Sequence, residues 1–343
     1  MFNLEELVRP NILTLKAYSS ARDEFKGTEG VFLDANENPF GSLNRYPDPY
    51  QSELKQRLSE FKNIPKEQIF LGNGSDEIID LIYRIFCNPG KDNALTFTPT
   101  FGMYQVAADI NNVELINLPL THYFEINIKT LKPYLDDNSL KLIFICSPNN
   151  PTGNSFKNEN VQFILDNFEG IVIIDEAYID FSNSESWSQK LETHPNLIVL
   201  QTFSKAWALA AARIGIAYAN KDIIQLLNKI KLPYNISELN QKAAIKALDD
   251  QSVFEANLNT ILMEKRRLIK KLNEFKSVKK IFPSDANFLL MEFNDANKIY
   301  NDLIAQKIIT RNRHNLVNNC IRITVGTPEE NQQLLACLKN IES

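Results

Sequence analysis

Five strand-length apolar runs, none of them alternating, are what most constrain how this chain folds. They are Ala94-Leu95-Thr96-Phe97, Leu142-Ile143-Phe144-Ile145-Cys146, Ile171-Val172-Ile173-Ile174, Leu197-Ile198-Val199-Leu200 and Ile214-Gly215-Ile216-Ala217-Tyr218. A strand with one wet face alternates apolar and polar residues. A continuous run belongs to a strand covered on both faces, as in a mostly parallel sheet between helices. Helical patterns lie between the runs, over residues 76–86, where Ser75 is a candidate N-cap, and over residues 158–167. The expected fold class is α/β, a mostly parallel central sheet with flanking helices.

After Leu232-Pro233-Tyr234 the pattern changes. Long helical stretches over residues 238–247 and 254–275 lead into strand-like runs at 286–291 and 321–325, then a final helix over 328–341. With 343 residues, 44% of them hydrophobic, the chain suits two domains at the usual ~100–200 residues each. We expect an arm over residues 1–40 that packs with the small domain, a large domain over 41–240, and a small α+β domain over 241–343.

A formal net charge of −5 without a long basic run argues against a nucleic-acid partner. Lys265-Arg266-Arg267 and Lys270-Lys271 sit among Leu262, Leu268, Ile269 and Leu272 at helical spacing, so they read as the solvated face of an amphipathic helix. No apolar window approaches the ~18 residues of a membrane span. The acidic start, with Glu5 and Glu6, lacks the pattern of a secretion leader. Cys87, Cys146, Cys320 and Cys337 are scattered among apolar residues and read as buried free thiols of a cytoplasmic protein. His122, His194 and His314 share no ligand spacing, so no metal is expected.

The chemistry begins at Thr202-Phe203-Ser204-Lys205-Ala206, with Arg213 eight residues beyond the lysine. A lysine forms a Schiff base with an aldehyde cofactor, and Ser, Thr and Arg hold a phosphate. Asp175-Glu176-Ala177-Tyr178 follows an apolar strand, where ligands of open α/β sheets gather. A carboxylate there keeps a pyridine nitrogen protonated, and Tyr178 or Asn150 can hydrogen-bond the ring's phenolate oxygen. Asn150 lies in Ser147-Pro148-Asn149-Asn150-Pro151-Thr152-Gly153, a string that demands a rigid turn. Gly72-Asn73-Gly74-Ser75-Asp76-Glu77 opens a helix and offers an anion site. Tyr104 is placed to stack on a planar ring. Arg322 is an arginine in an apolar strand, suited to a carboxylate or a phosphate, with Arg311 and Arg313 upstream. Taken singly, each has a structural reading: Asp175 as a helix cap, Tyr104 as a core ring, Arg322 in an internal salt bridge.

Together with Asn36-Glu37-Asn38-Pro39 and Arg45-Tyr46-Pro47, these strings resemble the fold-type I pyridoxal-phosphate (PLP) aminotransferases over nearly the whole chain. Within them the chain is most similar to the histidinol-phosphate aminotransferase subfamily. The resemblance implies that Lys205 is the Schiff-base lysine and Asp175 the pyridinium partner. It implies that Asn150 and Tyr178 contact the phenolate oxygen and that Tyr104 stacks on the ring. Ser75, Asp76, Ser204 and Arg213 match the phosphate cup, with Thr202 adding a hydroxyl. Tyr46 matches a tyrosine that reaches the neighbouring subunit's phosphate, implying a homodimer with shared sites. Arg322 matches the arginine that holds the substrate's anion; Tyr18, Asn36 and Arg311 match further substrate contacts, with Arg313 an alternative to Arg311.

The implied reaction is transamination between histidinol phosphate and 2-oxoglutarate, forming glutamate, in histidine biosynthesis. An aromatic amino-acid aminotransferase, a phosphothreonine decarboxylase and a non-catalytic PLP-binding protein stay open as alternatives. A nicotinamide dehydrogenase is disfavoured, because no GxGxxG follows an early strand.

Overall fold

A computed structural model of the chain describes residues 3–19 and 30–342. Its large sheet contains β1 (Ile69–Gly72), β2 (Asn93–Thr98), β3 (Glu114–Pro119), β4 (Leu140–Cys146), β5 (Ile171–Asp175), β6 (Leu197–Thr202) and β7 (Gly215–Ala219). The spatial order is β1-β7-β6-β5-β4-β2-β3. Strands β3, β2, β4, β5 and β6 pair in parallel, whereas β7 is antiparallel to both β6 and β1.

The unbroken apolar runs have the expected cause. Val172 and Ile174 of β5 enter one core, while Ile171 and Ile173 enter another on the opposite face. In β4, Ile143 and Ile145 take the first side and Leu142 and Phe144 the second. Burying one such side chain stabilises by roughly 1.5–3 kcal/mol. Four on one strand therefore rival the ~5–15 kcal/mol margin of a whole domain. Edge strand β3 exposes Glu114, Asn117 and Pro119 and only half-buries Ile116, as one-sided cover predicts.

The helix Ser75–Phe86 covers the second core with Ile78, Ile79, Ile82 and Ile85, which share one helical stripe. Ser75, the expected N-cap, is instead the first helical residue. Gly74 holds the cap position at φ +80°. The chain leaving β1 turns there through the left-handed region, which glycine enters without strain.

A second sheet follows, in the order β10-β11-β9-β8 and antiparallel throughout: β8 (Val278–Ile281), β9 (Phe288–Phe293), β10 (Arg311–Asn312) and β11 (Cys320–Thr324). Leu289, Met291, Ile321 and Ile323 form its core with Leu303, Leu334 and Leu338 of the covering helices. The last helix, Pro328–Glu342, starts with a capping box. Thr327 N–H donates to Glu330 Oε2 at 2.8 Å, and Glu330 N–H donates to Thr327 Oγ1 at 3.2 Å. The helix Gln251–Leu272 spans both regions. Phe254 near its start stacks on Trp207 at 4.0 Å, while Leu268 and Leu272 near its end enter the second sheet's core.

Two expectations change here. Lys265 is buried, not solvated, and its Nζ donates to the carbonyls of Ser284 and Ala286 at 3.0 and 2.9 Å. Helical spacing cannot reveal two carbonyls brought in by a distant loop. Residues 3–14 of the arm pack on the large sheet's layer, not on the C-terminal region, because Val8 and Ile12 enter the second core. Lys229 Nζ fastens them by donating to Ile12 O and Leu13 O at 2.7 and 2.8 Å. Residues 20–29 of the arm lie outside the described residues. All four cysteines are buried free thiols. Among the described residues, no helix is long and apolar enough to cross a membrane.

Candidate active site

The parallel strands of the large sheet end along one edge, and their carboxyl ends deliver the chemistry. Cys146 of β4 is in register with Asp175 of β5, and Thr202 of β6 with Gly215 of β7, which is in turn in register with Gly72 of β1. Residues distant in sequence thus share one edge, as the topology of open α/β sheets requires.

Asp175 is buried at the end of β5. Its Oδ2 accepts the Tyr104 hydroxyl at 2.8 Å, and its Oδ1 accepts the Ala177 N–H at 3.1 Å. Burial raises its pKa above the ordinary carboxylate value; those two hydrogen bonds oppose the rise. A carboxylate placed so deep gains most from a cationic N–H partner.

Tyr104 has partners within the protein for both its ring and its hydroxyl. Its ring is fully buried and stacks on Phe144 with centroids 4.9 Å apart, and its hydroxyl holds Asp175. Its spacing after β2 placed it at the site, but not the direction of its hydroxyl.

The loop after β4 is rigid for a visible reason. Asn149 is fully buried and donates to Pro99 O at 2.9 Å and to Thr152 Oγ1 at 2.7 Å. It also accepts from the Thr100 hydroxyl at 2.9 Å. That scaffold presents Asn150, whose Oδ1 accepts a hydrogen bond from Arg322 Nη1. With its oxygen occupied, the Asn150 amide turns its N–H groups away from Arg322, available to an acceptor.

Lys205 follows β6, with its Nζ 5.6 Å from the centroid of the Tyr178 ring. It is exposed as a residue. Desolvation of its amine end is nevertheless the largest cause lowering its pKa; Arg322 and Arg213 lower it further, and Asp175 and Asp76 oppose them. Tyr178 is buried beside Ala206, Ala286 and Phe288. Arg322, on β11, lies over the Phe288 ring at 5.2 Å, and Arg311 is directly opposite it across the β10–β11 pair.

The candidate anion cup lies near Lys205, whose pKa responds to both Arg213 and Asp76. Arg213 Nη2 lies 3.5 Å from Asp76 Oδ2. Thr202 is buried and donates its hydroxyl to Ile214 O at 3.1 Å while accepting the Ser204 N–H at 3.1 Å. Its hydroxyl is therefore spent on holding Ser204 in place. A Cβ at Gly215 would lie 2.3 Å from Ser75 N, and one at Gly74 would lie 2.5 Å from Arg213 Nη2. Two glycines let the helix start and the arginine close on the same small volume.

Tyr46 and Asn36 lie elsewhere in the chain. They line an open cleft of about 400 Å³ with Glu37, Arg45, Ser237 and Leu239, and Lys205, Asp175 and Arg322 are not among its walls. Tyr46 stacks on Tyr234 at 4.4 Å. Tyr18 is largely exposed. Sequence reasoning missed Glu176, which is buried next to Asp175. Its carboxylate accepts from the Ser186 hydroxyl, Gln201 Nε2 and Trp187 N–H at 2.5, 2.9 and 2.7 Å. Burial lifts its pKa from 4.5 to about 7. Its partners come from β6 and from the segment around residues 186–187, so no local spacing signals them.

Residues 19–338 match the family model of class I and II aminotransferases. The chain is 52% identical to a histidinol-phosphate aminotransferase of Christiangramia forsetii, over all of this chain and 99% of that protein. The crystal structure of a Clostridium acetobutylicum histidinol-phosphate aminotransferase superposes with a TM-score of 0.80 at 27% identity, covering 88% of this chain and 91% of that one. A Sinorhizobium meliloti histidinol-phosphate aminotransferase, solved with pyridoxal-5'-phosphate, superposes with a TM-score of 0.80 at 24% identity, covering 90% of each chain. The class is PLP-dependent, and the residues here fit that group. A buried carboxylate forms no ion pair among the described residues, a lysine near it has a depressed pKa, and two glycines clear a cup of helix N–H groups and an arginine. This chain belongs to the class I and II aminotransferase family.

Proposed function

We propose that this chain catalyses PLP-dependent transamination between L-histidinol phosphate and 2-oxoglutarate, yielding imidazole acetol phosphate and glutamate in the biosynthetic direction. The observation that carries this reading is one edge of one sheet. There Lys205, Asp175, the Asn150–Arg322 pair and the Ser75/Ser204/Arg213 cup meet, in a chain half-identical to enzymes of that name.

The bound cofactor supplies an electron sink for the substrate's Cα–H electrons. Asp175 holds the proton on the ring nitrogen. Lys205 Nζ would hold the cofactor covalently and, once released by the substrate amine, would serve as the base that moves the proton at the substrate's Cα. Its lowered pKa favours the neutral amine that this task needs. Asn150, oriented by Arg322, and Tyr178 would each donate a hydrogen bond to the cofactor's phenolate oxygen. Ser75, Asp76, Ser204 and Arg213 hold the phosphate; the Asp76 carboxylate faces Arg213, so its own share is its backbone N–H. Arg322 takes the substrate's anionic group, a phosphate in one half-reaction and a carboxylate in the other, because a guanidinium fork binds either. Arg311, Tyr18 and Asn36 complete the substrate pocket. Residues 41–240 form the cofactor-binding domain and 241–343 the small domain.

The working unit in this reading is a cytoplasmic homodimer in which Tyr46 reaches the partner's phosphate. Leu43 and Leu239 line the Tyr46 cleft and are exposed, and Val31, Leu33 and Phe40 of the same N-terminal stretch are exposed as well, the kind of apolar surface a second subunit covers.

The test is Lys205→Ala, with each half-reaction followed by the cofactor's absorbance. Turnover and borohydride-trapped cofactor are both expected to vanish. If either survives, Lys205 is not the anchoring base. For the substrate, a wild-type response to phenylalanine but none to histidinol phosphate would reassign the enzyme to aromatic amino acids.

A further inference from the structure

Arg313 stands next to the proposed substrate arginines without a task of its own. Its backbone N–H donates to Cys320 O at 2.9 Å, which carries the β10–β11 pairing one residue beyond Asn312. Side chains two apart on a strand share a face, as do residues directly opposite in an antiparallel pair. Arg311 is opposite Arg322, and Arg313 is two residues beyond Arg311. All three guanidinium groups therefore rise from one face of the hairpin. Among the described residues, none of the three forms an ion pair with a carboxylate. The Nε of Arg313 is buried with no hydrogen-bond partner. After burial, Arg322 and Arg311 are the main causes lowering the Arg313 pKa, to about 10, and Tyr178 opposes them. Tyr178 in turn is influenced by both Arg322 and Arg313. The groups that face Arg313 are therefore two cations and a phenol, an arrangement that repels itself until an anion enters.

We propose that Arg313 determines specificity in this pocket. With Arg322 and Arg311 it forms a three-cation cradle matched to a phosphomonoester dianion rather than to a carboxylate. This deepens the transaminase reading and rests on it for the identity of the substrate. A carboxylate has one charge and two oxygens, and the fork of Arg322 satisfies it. A phosphate ester carries about −1.5 to −2 at pH 7 and three acceptor oxygens. Its extra oxygen and extra charge need a cation beyond that fork, and Arg313 supplies it. Both substrates share Arg322, but only the phosphate one draws on Arg313.

The experiment compares the wild-type holoenzyme with Arg313→Gln and Arg313→Lys in the two half-reactions. In Arg313→Gln the half-saturation concentration of histidinol phosphate should rise about 10- to 100-fold, the scale of one lost charge-assisted hydrogen bond. Its limiting rate and the half-saturation concentration of glutamate should each move by less than about threefold. Arg313→Lys should recover part of the loss. Methyl phosphate, an unreactive probe, should weaken as an inhibitor of the variant by the same factor, while acetate should not. Equal losses for both substrates, a loss confined to the limiting rate, or unchanged inhibition by methyl phosphate would each overturn the assignment. If the wild type ignores histidinol phosphate, the substrate reading fails by itself, and the methyl phosphate comparison still decides the role of Arg313.

Discussion

Tyr104 donates its hydroxyl hydrogen to Asp175 Oδ2 at 2.8 Å, and both side chains are buried. The bond is one of the forces opposing the rise that burial imposes on the Asp175 pKa. It favours the charged carboxylate that the proposed role of Asp175 beside a ring nitrogen requires. Removing the donor leaves a buried acceptor short of a partner, at a cost of about 1–3 kcal/mol.

Tyr104→Phe should therefore raise the Asp175 pKa further. Cofactor affinity should fall about tenfold or more, and the acid limb of its pH profile should move to higher pH. Absorbance titration of the apoenzyme with PLP between pH 5 and 8 measures both. An unmoved acid limb would mean that Tyr104 acts only through packing on Phe144.

Gly215→Ala should damage the phosphate cup. The new Cβ would lie 2.3 Å from Ser75 N and 2.4 Å from Gly74 C, both of them backbone atoms. Relief requires the helix start to move, at roughly 1–3 kcal/mol of stability. PLP binding should weaken at least tenfold, while binding of pyridoxal, which lacks the phosphate, should change much less. Equal losses for the two ligands would show that the damage is not confined to the cup.

Glu176 gives a pH-dependent stability with a definite sign. Its folded pKa, about 7, lies above its ordinary 4.5. The folded state thus binds the proton more tightly than the unfolded state. The stabilisation is present below about 4.5 and is lost as pH rises towards 7, amounting to roughly 3 kcal/mol across the window. Glu176→Gln should flatten the urea midpoint of the apoenzyme between pH 5 and 7.5, relative to wild type. A parallel pair of curves would assign the pH dependence to other groups.

Lys265→Met keeps most of the buried stem but removes the donor to Ser284 O and Ala286 O. Two carbonyls lose a charged partner, and urea unfolding should show a loss of about 1–3 kcal/mol. Lys270→Met, on the exposed side of the same helix, should change stability by less than about 0.5 kcal/mol. Similar effects at the two positions would argue against a structural role for Lys265.

Much of this molecule is legible in its residues. Runs such as Ile171-Val172-Ile173-Ile174 demand cover on both faces, because no polar side is left to meet water. The Asn149–Gly153 string demands a rigid loop, and a lysine between hydroxyls and an arginine points to a phosphate-bearing aldehyde. These are local properties, set by backbone geometry and side-chain chemistry within a few residues. Direction and partnership are not local. That β7 runs antiparallel between β6 and β1, that Tyr104 turns its hydroxyl to Asp175, that Lys265 is buried, and that Arg311 lies opposite Arg322 all depend on distant segments meeting. The sequence by itself determined which elements form and which groups are candidates for the chemistry. Only the tertiary structure decided what each group touches, because burial and hydrogen bonding belong to pairs of segments and not to either one alone.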